Sequence, residues 1–125
     1  MPTIVHFEIP ADDISRARKF YADLFGWKIE PYGDKSPAEY YMIDTCEKEG
    51  TANLCGGMMA RQTPQHPITN YIGVSSVDEY VHKVESLGGR VVMLKTLVPG
   101  HGYFAVCLDT EGNVFGLWES LESAS

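Results

Sequence analysis

The residues best suited by type and spacing to do chemistry stand near the start of the chain, in TIVHFEI, where His6 and Glu8 lie two positions apart. In a strand, side chains alternate between faces, so residues two apart look the same way. An imidazole with an ordinary pKa of about 6.5, beside a carboxylate, makes a pair able to take and return protons near neutrality. His6 reads as a general base, a hydrogen-bond partner for a ligand, or a metal ligand. Glu8 reads as the group that orients it or as a base itself. The plainer alternatives are a histidine satisfied by its neighbours and a carboxylate solvated at a rim.

Other chemical groups are less well supported by their surroundings. His101 lies in the glycine-rich VPGHGYF, which reads either as an exposed turn or as a loop folding over a cleft to supply a ligand or proton donor. His66 and His82 read as surface residues. Cys55 has no neighbour in sequence that would lower its pKa, and free cysteine is commonly buried filling. The chain has no G-x-S-x-G, and neither GGM nor EGN has the lysine and spacing of a phosphate loop.

The elements that must position these groups come in a repeated order. TIVHFEI predicts a strand ended by Pro10. Asp12 and Asp13 can cap a helix over ISRARKFYADLF, with Ile14, Ala17, Tyr21 and Leu24 as its apolar stripe and Gly26 as its stop. Strands follow in WKIEPY, AEYYMIDT and ANLCGGMMA, separated by the turn compositions GDKSP and CEKEG. The polar RQTPQHP, residues 61–67, reads as a linker. Then the order returns. ITNYIGV is a strand, Ser76 and Glu79 form a capping box, and Val77, Tyr80, Val81, Val84 and Leu87 form a helical stripe closed by Gly88 and Gly89. RVVMLKTLV, YFAVCLD and NVFGLWES are three further strands. An offset of 63 residues carries Ile9 onto Ile72, Ile14 onto Val77, Tyr21 onto Val84, Leu24 onto Leu87 and Gly26 onto Gly89. The chain thus reads as two β-α-β-β-β modules, residues 1–60 and 68–125, in one domain spanning residues 1–125.

Alternation assigns faces. Val5, Phe7 and Ile9 should pack under the helices, as should Ile68, Ile72, Val74, Phe115, Leu117, Leu54, Gly56 and Met58. His6, Glu8, Thr69, Tyr71, Gly73, Gly116, Trp118, Cys55, Gly57 and Met59 then take the opposite faces. If the two sheets curve round a common hollow, His6, Glu8, Thr69, Tyr71, Gly116 and Trp118 would line it. Trp118 and Tyr71 would offer flat walls to an aromatic or conjugated ligand. A glycine inside a strand weakens it and often marks the close approach of another group, so Gly116 in NVFGLWE calls for a reason.

HFEIPADDISRARKFYADLFGWK resembles the opening strand and helix, and DTEGNVFGLWE the closing hairpin, of the vicinal oxygen chelate superfamily of glyoxalase I, bleomycin-resistance proteins and extradiol dioxygenases. GNVFGLW is most similar to short glyoxalase-like proteins related to lactoylglutathione lyase. The resemblance implies an α+β fold of two βαβββ modules whose curved mixed sheets enclose a shared cleft. Metal-using members carry His or Glu ligands on the first and last strands of each module. Carried over, those positions are His6, Gly57 or Gly56, Thr69 and Gly116, so His6 alone matches. Gly116 then reads as a lost carboxylate that leaves open space on the cleft floor.

The resemblance therefore implies a small-molecule-binding glyoxalase-like protein, of lyase or isomerase type if catalytic, with no metal cofactor. His6 and Glu8 would be its catalytic candidates, and His6, Glu8, Thr69, Tyr71, Gly116 and Trp118 its ligand contacts. One alternative is a lyase or dioxygenase using Zn, Ni, Fe or Mn, with Glu8, His101 or a second subunit completing the site around His6. Another is a drug-sequestering resistance protein. A formal net charge of −7 argues against nucleic acid and anionic membranes as partners. Three cysteines without C-x-x-C, and no leader-like or bilayer-length apolar run, are the grounds for expecting a cytoplasmic protein. Tyr40, Tyr41, Met58 and Met59 read equally as lining of the hollow, as core filling, or as apolar surface for a homodimer.

Overall fold

The computed structural model describes residues 2–31, 40–45 and 54–121. Cys46 and the turn segments GDKSP and CEKEG lie outside them. The element order is β1 (Thr3–Ala11), α1 (Ile14–Phe25), β2 (Lys28–Pro31), β3 (Tyr40–Asp44), β4 (Gly56–Ala60), β5 (Thr69–Gly73), α2 (Val77–Ser86), β6 (Arg90–Val98), β7 (Gly102–Leu108) and β8 (Val114–Ser120). This is the expected β-α-β-β-β order, twice. The chain forms two compact units, His6–Ile68 and Thr69–Ser125 with Met1–Val5. No helix among the described residues is long and apolar enough to cross a membrane.

In the His6–Ile68 unit the strands run β2-β3-β4-β1, with β4 parallel to β1 and the other pairings antiparallel. Ile9, Ala11, Ile29, Ile43 and Met58 form the core, with Phe7, Ile14, Ala17, Tyr21, Trp27 and Tyr41 packed on it. Asp13 Oδ1 accepts from the Arg16 N–H at 3.0 Å and so caps α1. Asp12 instead binds the Arg61 guanidinium at 2.9 Å. Gly26, at φ 75°, closes the helix in the left-handed region that costs other residues a Cβ clash. Arg18 covers the core edge, donating from Nε and one Nη to the Ile29 carbonyl while its guanidinium lies over the Tyr41 ring.

The second unit repeats the plan as β5-β8-β7-β6, with β8 parallel to β5. Val74, Val77, Ala105, Cys107 and Leu117 are its core, flanked by Ile72, Tyr80, Val81, Val84, Val91, Tyr103 and Phe115. Ser76 Oγ accepts from the Glu79 N–H at 3.2 Å, the hydroxyl half of the expected capping box. Asp109 accepts from the Glu111 and Asn113 N–H groups and from the Asn113 amide, which locks the DTEGN hairpin and holds its carboxyl below the usual carboxylate range.

Some expected helix-side residues are not buried. Leu24, in the last turn of α1, is 58% exposed, and Leu87, the C-cap of α2, is 77% exposed. Val5 is 44% exposed and lies against Gly73. Leu54 is exposed because β4 begins only at Gly56. Of the four residues that could offer apolar surface to a dimer, Tyr40, Tyr41 and Met59 are partly buried. Met58 is fully buried, Tyr41 packs on the core, and Tyr40 is engaged in hydrogen bonds. Exposed apolar side chains instead gather on α1 at Phe20, Leu24 and Phe25, and on β6 at Val92, Leu94 and Leu97.

Candidate functional site

His6 and Glu8 share a face of β1, and the structure joins them through a residue the sequence reading had left undecided. His6 Nε2 lies 2.8 Å from Tyr40 Oη, and Tyr40 Oη donates to Glu8 Oε2 at 2.9 Å. An ionised carboxylate only accepts, so it takes the one phenolic proton, and His6 Nε2–H must then be the donor to Oη. Burial pushes the His6 imidazolium pKa below its ordinary value, and the Glu8 charge offsets part of that shift. With one further proton, two protons moving in the same sense convert imidazolium, phenol and carboxylate into imidazole, phenol and carboxylic acid. The three groups therefore form a line along which a proton can pass.

Tyr40 reaches this place because β4 opens with two glycines. Gly56 and Gly57 face opposite ways. Phe7, paired with Gly56, covers it on the core side, and the Tyr40 phenol covers Gly57 on the other. A Cβ at 57 would strike the Tyr40 phenol, and one at 56 would strike both the ring and the backbone carbonyl of Phe7. The expected orientation of Gly56, Gly57 and Met58 holds, and the missed signal was the pair itself, since adjacent strand glycines ask for a large neighbour on each face. An open groove of about 510 Å³, lined in part by Asp12, Ser15, Met59 and Gln62, shares Tyr40 with the triad.

Strand register defines the counterpart in the second unit. Gly57 pairs with Glu8 and Tyr40 with Met59, whereas Gly116 pairs with Tyr71 and Phe104 with Trp118. Glu8 thus corresponds to Tyr71, Tyr40 to Phe104, Met59 to Trp118 and Gly57 to Gly116, which decides between Gly56 and Gly57. The second unit carries no acid–base line at these positions. Tyr71 and Phe104 meet edge to face at 6.4 Å, and Thr69 is buried at 4% exposure. Gly116 does not open space, contrary to expectation, because the Tyr71 ring fills the volume its Cβ would take. His101 is exposed in the turn between β6 and β7.

The bleomycin resistance protein-like N-terminal family matches residues 3–45. A glyoxylase-like domain-containing protein of Didymella fabae is 32% identical over 117 residues, which cover 88% of each chain. The chain belongs to the glyoxalase-like family of the vicinal oxygen chelate superfamily. CFP32 of Mycobacterium tuberculosis, which carries a glyoxylase name, is 31% identical over 90% of this chain and 44% of its own, so this chain spans less than half of that relative's length. The fold is shared with methylmalonyl-CoA epimerase from Mycobacterium tuberculosis, at a TM-score of 0.67 and 19% identity over 94% of this chain and 87% of that one.

Metal-using members of this superfamily need several donors, and the described residues at the carried-over positions do not fit that demand. At the carried-over positions the first unit offers His6 and Gly57, and the second Thr69 and Gly116. The His6 Nε2 site is committed to Tyr40. Among the described residues no three His, Cys, Asp or Glu side chains gather closely enough to hold a metal ion. Protein metal centres usually take three or four such ligands.

Proposed function

We propose that this glyoxalase-like protein binds a small organic molecule and exchanges a proton with it at the His6–Tyr40–Glu8 line, as a lyase or isomerase without a metal cofactor. The hydrogen-bonded line itself carries the reading. A lowered imidazole pKa keeps His6 neutral at neutral pH, the state in which a base is ready to act. Glu8 can balance the charge His6 gains, and Tyr40 can carry the proton between them. The substrate chemistry that suits these groups is a carbonyl compound with an acidic neighbouring C–H. The aromatic face of Tyr71, Phe104 and Trp118 supports a second reading, sequestration of a flat ligand without turnover.

Proton exchange into small carbonyl compounds, followed by NMR in heavy water, tests the first reading. Exchange catalysed by the protein, lost in His6→Ala and Glu8→Gln and unchanged by chelator, is the expected result. Stoichiometric metal that leaves with activity on chelation would overturn it. Tight binding without exchange would favour sequestration.

A further inference from the structure

We infer that Gly57 and Gly116 are seats for phenol rings, and that Tyr40 and Tyr71 have taken the ground from which each closing strand could otherwise project a metal ligand. The assignment rests on packing and register and stands apart from the proposed proton chemistry.

The two seats are equivalent but filled from different neighbours. Gly57 is covered from β3 by Tyr40, whereas Gly116 is covered from β5 by Tyr71, its direct partner in register. Arrival of a ring at the same position by two routes argues that the glycine is there to admit a ring. A decayed carboxylate site would be an empty hollow, yet in both units a Cβ would enter the tyrosine. Tyr71 is buried and braced by Phe104, so its ring cannot swing aside freely. A glutamate placed at 116 therefore meets a filled space. In the first unit the seat also yields a gain, since the Tyr40 hydroxyl it admits reaches both His6 and Glu8.

A double-mutant cycle on the full chain tests this, with Gly116→Ala, Tyr71→Ala and the pair followed by urea unfolding. Overpacking predicts that Gly116→Ala raises the unfolding constant by roughly 5- to 150-fold with Tyr71 present, and by far less in Tyr71→Ala. If Gly116→Ala fails to fold, the pair should recover folding. Equal cost in both backgrounds, or no recovery, would overturn the assignment. Calorimetric titration of Gly116→Glu with Zn²⁺ and Ni²⁺ adds an independent reading. No stoichiometric uptake is expected, and a full equivalent bound with Tyr71 in place would equally overturn it.

Discussion

Tyr40 Oη stands 2.8 Å from His6 Nε2 while giving its own proton to Glu8 at 2.9 Å, so one hydroxyl links the two ionisable groups. Tyr40→Phe removes that hydroxyl and leaves the ring on Gly57. The fold should survive, with unchanged far-ultraviolet circular dichroism. A hydrogen bond to a charged group contributes about 1.5–3 kcal/mol, and loss of this size should appear as a lower urea midpoint at constant slope. Tyr40→Ala should cost more, because it also empties the seat.

The pH dependence of stability follows from the direction of the His6 shift. Its folded pKa lies below the unfolded value near 6.5, so the unfolded chain binds the proton more readily. Stability is unaffected by this group above the unfolded pKa. It falls as pH drops from there to the folded pKa, and the loss is complete below that. His6→Gln should flatten the stability profile across that window, measured by urea unfolding at closely spaced pH. A profile with the same slope in the variant would assign the dependence to other groups.

Gly57→Ala should be more harmful than a strand glycine replacement usually is. Alanine normally suits a strand better than glycine, yet here its methyl would enter the Tyr40 phenol. A loss of about 1–3 kcal/mol is expected, with most of it relieved in Gly57→Ala/Tyr40→Ala. NMR should show the His6 ring signals of Gly57→Ala moving toward those of Tyr40→Phe, since both variants break the same hydrogen bond.

Much of this was legible because the apolar residues repeat with the right periods. Ile14, Ala17 and Tyr21 on α1, and Ile72, Val74, Phe115 and Leu117 in the second unit, pack where alternation and helical spacing put them. His6 and Glu8 were legible as a pair for the same reason. Tyr40 was not, since its partnership depends on which strand lies beside β4 and in what register. Gly116 was read from what it lacks, and its meaning lay in Tyr71, 45 positions earlier in the chain and directly opposite in the sheet. Leu24 and Leu87 fit their helical stripes but stay exposed, because a stripe does not say how far along a helix the packing extends.

Glu119 follows directly on the NVFGLW run, and the structure gives it a structural task. Its Oε1 accepts from the Val77 N–H at 2.8 Å. Val77 opens α2, and the first N–H groups of a helix have no partner within the helix. The carboxylate also meets the positive end of the helix dipole. β8 is thereby fastened to α2 by a bond independent of the core between them. Glu119→Ala should cost about 1 kcal/mol, the usual range for a lost N-terminal cap, whereas Glu119→Gln keeps an acceptor and should lose only the charge contribution of about 0.3–1 kcal/mol. Thermal unfolding at low and high salt separates the two, because the charge contribution shrinks as ionic strength rises. If Glu119→Gln instead left stability unchanged but abolished ligand binding or proton exchange, Glu119 would belong to the chemistry and not to the cap.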